Sequence, residues 1–432
     1  MNNKRFLTIL LAFALTLSVL GAASAQENIT LTVLTHWGEE RLLVAQQAMF
    51  DEYMANNPGV TIELQTVPFN DLLTRIITGR TAGTSPDIYH LYNLWLPDFI
   101  GENGLVAVPP QDIVDEVIAN SPQAVIDGIT VNGQVWGYPT EVNTYLLLYN
   151  KRLLAEAGYD APPATWDELL EMAAAITQTD STGAITQGGF GVLPGWDSGI
   201  VHPFNALLFS NGGDYLTPDL SATAFNSPQG LETLQLYADL LENGGMDMSL
   251  SGWEYPNGRI GMVVMANWWR ATLQASEGID YDTEVGVAPI PVGPSGSETA
   301  TLSYNWLWSV GTSADDAKQA AAWDLIRWMN TPRADGSGSP MGNFLVNELG
   351  AIPSLIPDQE AFAEDLSDFF LSAYVESTRY ARPEPVVAGG QEVKTKLQTE
   401  IEAVLSGLQD PASALEIAAM EGDAVLMEMA GQ

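Results

Sequence analysis

Two short segments concentrate side chains able to hold a small molecule: His36-Trp37-Gly38-Glu39-Glu40-Arg41 and His90-Leu91-Tyr92-Asn93-Leu94-Trp95. A sugar has apolar C–H faces and a rim of hydroxyls, so a site for one needs flat aromatic rings and amide or carboxylate groups. Trp37, Trp196 and Trp268 can supply the faces, and Glu39, Asn93, Asn143 and Asn305 the rim. An aromatic contact contributes about 1 kcal/mol beyond area burial, and a neutral hydrogen bond about 1 kcal/mol net. Several together reach micromolar binding, which corresponds to about −8 kcal/mol. The chain has 12 tryptophans, most of which must be packing. Trp136, Trp166, Trp323 and Trp328 fall on patterned elements and read as core.

Other chemistries are open to the same residues. His36, His90 and His202 could offer three imidazoles to a zinc ion, could hydrogen-bond a polar ligand, or could be ordinary loop residues. No cysteine is present to add a thiolate, and the aromatic neighbours favour a sugar-sized site, so neither metal nor cofactor is expected. No G-x-S-x-G elbow, P-loop or H-E-x-x-H helix occurs. With 54 acidic residues any one carboxylate pair is uninformative, so no catalytic residue is assigned and a binder is expected, not an enzyme. Gly188-Gly189-Phe190-Gly191 reads as a turn, not a nucleotide fingerprint.

The elements that must position these residues alternate. Ile29, Leu31 and Val33 have period two, Leu42 to Tyr53 recur at helical spacing, and Val60, Ile62 and Leu64 return to period two. A helix over 70–80 and a strand over 88–91 complete β-α-β-α-β, the sign of a parallel sheet covered on both faces. Ligands of such sheets bind outside the carboxyl ends of the strands, where both segments fall. The apolar run 135–149 predicts a strand crossing into a second lobe. Thr165 and Glu168 form a capping box for a helix to about Thr177, and Ser227-Pro228 opens another with Leu231, Leu234, Ala238 and Leu241 inward. Strands follow over 260–266, 285–290 and 306–311. The helix over 314–330 turns Trp323, Ile326 and Met329 inward, Asp335 to Pro340 is linker-like, and helical patterns fill the remainder.

Composition narrows the partners. A length of 432 residues suggests two domains. A formal net charge of −38 repels phosphate backbones and anionic headgroups, so no nucleic acid and no membrane insertion are expected. Lys4-Arg5, the apolar run from Phe6 to Leu20 and Ala23-Ser24-Ala25 are ordered as a secretory leader cleaved at about Ala25. That run is short for a membrane span of about 20 residues. Without cysteine there is no disulfide and no lipidated N-terminal thiol, which fits a free protein of the periplasm or extracellular space.

Four segments then carry a resemblance: Ser85-Pro86-Asp87-Ile88 through Trp95-Leu96-Pro97, Asn132-Gly133-Gln134-Val135-Trp136-Gly137-Tyr138-Pro139 leading to Tyr149-Asn150-Lys151, Pro163 to Leu169, and Asn257-Gly258-Arg259-Ile260-Gly261-Met262 with Trp268 beyond. In this order they resemble the bacterial extracellular solute-binding proteins of family one, over nearly all of the chain. The resemblance implies an α/β, two-lobe periplasmic-binding-protein fold, each lobe a mostly parallel sheet flanked by helices, with a hinge of three crossovers. It implies lobes of residues 26–139 with 291–335 and 140–290 with 336–432, after a leader of residues 1–25. It also implies a monomer that captures a carbohydrate, an oligosaccharide, and hands it to the permease subunits of an inner-membrane ABC importer. Matched segment by segment, a cleft-lining position falls at His90 to Asn93, the hinge residue that meets sugar on Asn143, and two stacking aromatics on His202 and Trp268. The chain departs from the maltose-binding members in two places. No tryptophan stands near Gly389 to Gln391, and Asn143 replaces an acid, which leaves maltose in doubt but not the sugar class. A polyol, a phosphorylated polyol or a peptide is the alternative ligand, with Arg41, Arg270 and Arg382 the arginines an anion would use; a secreted carbohydrate-active enzyme or lectin is the third reading.

Overall fold

The computed structural model of the protein describes residues 28–101 and 104–431, so the expected leader over residues 1–25 lies outside the described residues. β1 (Ile29–Thr35), α1 (Glu40–Asn56), β2 (Val60–Thr66), α2 (Phe69–Ala82) and β3 (Ile88–Tyr92) follow the expected alternation. β1 lies between β2 and β3 and is parallel to both. α1 buries Leu42, Gln46, Met49, Phe50 and Tyr53, one stripe at helical spacing.

β4 (Tyr138–Asn150) is the long crossing strand, followed by α3 (Trp166–Ile176), β5 (Ile185–Gly191), α4 (Asp197–Ser210), α5 (Pro228–Glu242), β6 (Ile260–Ala266) and β7 (Val285–Ala288). β8 (Thr301–Val310), α6 (Asp316–Asn330), β9 (Ala381–Pro383), α7 (Gly390–Leu405) and α8 (Pro411–Ala430) complete the principal elements. The sheet runs β2-β1-β3-β8-β4-β6-β5, with β7, β9 and two short strands attached. Its outer pairs are parallel, and the antiparallel crossing strands β8 and β4 join them. The molecule is thus two α/β halves hung on shared strands.

The join can be located within β4. Residues from Tyr138 to Thr144 pair with β8, and Ile352–Pro353 covers the other edge. From Tyr145 to Tyr149 the same strand pairs with β6, and β7 takes the other edge from Leu147. Each half of β4 is therefore flanked on both edges, and the run Leu146-Leu147-Leu148 of its second half is apolar on both faces, as a central strand requires. β6 is buried at all seven positions, and each such aliphatic side chain contributes about 1.5–3 kcal/mol on leaving water.

Local signals act as their chemistry predicts. The Thr165 side chain accepts from the Glu168 amide while Glu168 accepts from the Thr165 amide, so two orphan donors at the start of α3 are satisfied. Trp166 is buried and donates to the Pro291 carbonyl at 3.1 Å. Trp323, Ile326 and Met329 all face the core from α6.

Two local expectations are corrected. α5 buries Thr233, Leu234, Leu236, Tyr237 and Leu240, while Leu231 is 39 % exposed and Ala238 and Leu241 are only half-buried. The apolar residues of α5 form a stripe wide enough to be centred in more than one way, and tertiary packing decides which centre is buried. Gly188 to Gly191 is not a turn but the end of β5. A Cβ at Gly189 would lie 1.9 Å from the Ala173 carbonyl oxygen, so glycine serves the close approach of α3 to the sheet.

Candidate functional site

A cavity of about 370 Å³ opens where the two halves meet. His36 and Trp37 follow β1, Pro68 to Asn70 follow β2, Tyr92 ends β3, and Trp268 follows β6, so these lining residues stand outside the carboxyl ends of strands. Glu141 and Asn143, two residues apart on β4 and so on one face of it, also line the cavity close to the join. Trp196 and Ser198 at the start of α4, Trp253, and Tyr304 and Trp306 of β8 line the rest.

The aromatic rings form two groups. On one side Trp306 stacks on His36 at 4.2 Å and on His90 at 4.8 Å, and Trp37 sits 4.0 Å from His90. On the other, Trp196 lies 5.9 Å from both Trp253 and Trp268, and Trp268 donates to the Tyr304 hydroxyl at 3.0 Å. Phe69 reaches Trp196 edge-on at 6.0 Å, so the first half touches the second across the cavity. Trp306 owes its place to an irregularity of β8, whose register against β4 shifts between Asn305 and Leu307. Such bulges re-aim a side chain.

At β4 the polar groups are incompletely paired. Glu141 Oε2 and Asn143 Oδ1 are buried and have no hydrogen-bond partner. Burial pushes the Glu141 carboxyl up to about 8. A buried acceptor left unmet costs about 1–3 kcal/mol, which a hydroxyl-bearing guest would recover. All three imidazoles are held well below their usual range by burial, His202 with help from the Lys394 ammonium. They are therefore neutral at pH 7.

Of the residues singled out from the sequence, Trp37, Glu39, Tyr92, Asn143, Trp196 and Trp268 line the cavity. His90, Asn93, His202 and Asn305 are buried behind it. His90 Nε2 is 3.0 Å from Thr140 Oγ1 and 3.7 Å from Glu141 Oε2, beneath the Trp306 ring. Asn93 donates to the Gly128 carbonyl and accepts from the Asn305 amide, and Asn305 donates to the Glu141 carbonyl, so this pair braces the strand that carries Glu141. His202 is 3.0 Å from the hydroxyls of both Tyr92 and Tyr145. Glu141, Phe69, Ser198, Trp253, Tyr304 and Trp306 line the cavity without having been singled out. Glu141 had a signal, since it shares the face of Asn143 two residues on. Trp253 and Ser198 had none.

No group of three or more histidine, aspartate or glutamate side chains is arranged to hold a metal among the described residues. Arg41, Arg270 and Arg382 do not line the cavity; each is paired with a carboxylate, Glu348, Asp368 and Asp214 respectively.

Comparison with known proteins agrees with the two-halved fold. The family model described as bacterial extracellular solute-binding protein matches residues 41–336. A putative binding protein of Brucella abortus (strain 2308) is 25% identical over 427 residues, 95% of this chain and 96% of the relative. A probable ABC transporter-binding protein of Deinococcus radiodurans is 27% identical over 64% of this chain and 66% of its own length. The solved structure of the cyclic alpha-maltosyl-1,6-maltose binding protein from Arthrobacter globiformis superposes with a TM-score of 0.74 at 30% identity, covering 92% of this chain and 99% of that one.

Proposed function

The chain belongs to the bacterial extracellular solute-binding proteins, and from that premise we propose that it captures a carbohydrate, an oligosaccharide by preference, in the cavity between its halves and delivers it to an ABC importer. One observation carries the proposal. Indole rings from both halves flank a strand on which two buried acceptors, Glu141 Oε2 and Asn143 Oδ1, lack partners. Rings for C–H faces and acceptors for hydroxyls are what a sugar requires. The absence of arginine or lysine among the lining residues speaks against a phosphorylated ligand.

The proposed cycle uses hinge motion. The two halves swing about the shared strands β4 and β8. Periplasmic binding proteins are the general example of such closure. A guest that touches both walls only when they meet shifts the balance toward the closed form, and the importer's permease subunits recognise that shape. The protein acts as a monomer, without catalysis, after its leader is removed at about Ala25. Among the described residues no helix is long and apolar enough to cross a membrane.

Calorimetry against a panel tests the substrate class: cyclic α-maltosyl-1,6-maltose, maltotriose, arabino- and galacto-oligosaccharides, an amino acid and a phosphate ester. Heat with one or more carbohydrates supports the reading. Binding confined to the amino acid or the phosphate ester refutes it, and release of smaller sugars from any panel member refutes the non-catalytic assignment.

A further inference from the structure

We propose that the buried pair Lys394–Glu384, with His202 and Tyr92, is a polar latch between the two walls of the cleft, and that Lys394 is a positioning residue for ligand capture. The inference rests on the two-lobe closure proposed above. Lys394 on α7 and Glu384 just after β9 are 0 % and 2 % exposed. The Lys394 ammonium donates to His202 Nε2 at 2.6 Å, Ser198 Oγ at 2.9 Å and Tyr92 Oη at 3.1 Å, and lies 3.4 Å from Glu384 Oε1. All three ammonium hydrogens are thereby used. Tyr92 in turn donates to Glu384 Oε2, and Glu384 Oε1 is 3.0 Å from His202 Nε2.

The placement gives this cluster its role. Tyr92 and Ser198 both line the cavity, but they come from different halves, Tyr92 from the end of β3 and Ser198 from the first turn of α4. Lys394 holds the two together from behind. The seam continues along the first turn of α7, where Trp95 donates to Gln391 Oε1 at 2.8 Å, Gln391 donates to Asp197 Oδ2 at 2.6 Å, and the Gly389 amide donates to Asp98 Oδ1 at 3.0 Å. Parting the walls would take the Tyr92 hydroxyl from both charged groups and admit water to them.

A latch built this way is suited to repeated opening. The Tyr92 hydroxyl meets Lys394 and Glu384, and a hydrogen bond to a charged group shifts a closed-to-open ratio by about tenfold and no more, because water replaces it when the walls part. That is enough to favour the closed form without a guest and small enough for the walls to part again. The closed fraction of the ligand-free protein is then set by these four side chains, and apparent affinity scales with that fraction.

The test compares wild type with Lys394→Met and with Lys394→Met/Glu384→Gln. The double variant removes both charges and so leaves no unpaired ion in the core. The chain lacks cysteine, so cysteines at the exposed positions Val44 on α1 and Met420 on α8 can carry spin labels for distance measurement. Without ligand, the double variant is expected to shift toward the longer, open distances. With cyclic α-maltosyl-1,6-maltose at saturation it should recover the wild-type closed distance, with affinity lower by about tenfold, the scale of one hydrogen bond to a charged group. An unchanged ligand-free distribution overturns the latch, and so does weakened binding with an unchanged distribution, which would leave Lys394 a local wall support. If the wild type ignores that sugar, the ligand-free comparison still decides the latch while the substrate class fails separately.

Discussion

Replacing Glu141 by glutamine keeps the outline of a side chain that is 2 % exposed and removes only its ability to ionise. In the folded protein the carboxyl holds its proton up to about 8, against an ordinary value of 4.5. Between those two values the folded state binds more protons than the unfolded one, so stability falls as pH rises. The contribution of this group is complete below pH 4.5 and lost as pH climbs through about 8. At about 1.36 kcal/mol per pH unit, the whole span is worth about 5 kcal/mol.

Urea unfolding of wild type and Glu141→Gln, each ligand-free at about pH 5 and about pH 9, captures most of that span. The other carboxylates titrate alike in both proteins and cancel in the difference. The variant should gain on wild type by about 4 kcal/mol between the two conditions, about 1.36 kcal/mol for each of the roughly three units from pH 5 to about 8. A swing below about 1 kcal/mol would show that Glu141 ionises freely in the ligand-free protein, and the argument from an unmet buried acceptor would fail with it. The same reasoning makes carbohydrate binding at pH 7 release protons, because a hydroxyl donating to Glu141 favours its carboxylate. Calorimetry in buffers of different ionisation enthalpy reads that release directly, and the variant should show none of it.

Three further perturbations separate site from scaffold. Trp268→Ala is expected to weaken carbohydrate binding by about tenfold or more, from the ring contact and its buried area, with little change in melting temperature because the side chain is half-buried. Thr165→Ala removes the capping box and should cost about 1 kcal/mol in chemical denaturation without touching affinity. Gly189→Ala places a Cβ 1.9 Å from the Ala173 carbonyl oxygen, and overpacking of that kind should destabilise by about 1–3 kcal/mol, measurable as a lower urea midpoint.

The alternating elements were legible because period and punctuation agree: Asn57-Pro58-Gly59 ends α1 where the apolar spacing changes, and Thr165 with Glu168 starts α3 by pairing its own amides. The face of α5 was not, since only tertiary packing decides which side a wide apolar stripe turns inward. Loops at strand ends gave Trp37, Tyr92 and Trp268, whereas Trp306 enters the cavity through a register shift that no residue spacing announces. Glu141 was hidden by an assignment to Asn143 that overlooked the acid two positions earlier on the same face. The Lys394 cluster could not be read at all. Tyr92 and Glu384 are separated by 292 residues, and one glutamate among 54 acidic residues carries no mark of burial.

The position of Glu141 and Asn143 also limits what they can do in the proposed cycle. Both lie on β4 within a few residues of the join between Thr144 and Tyr145, so they hardly move relative to either half when the lobes swing. A guest bound to them alone would meet the same groups in the open and closed forms, and equal affinity for two states shifts neither. The floor therefore supplies affinity but not closure. Closure has to come from walls that approach each other: Trp37 and Phe69 on one side, Trp196, Trp253 and Trp268 on the other. Substitution of a floor residue should accordingly lower affinity while leaving the ligand-saturated protein closed, and loss of a wall ring should leave a bound but partly open form.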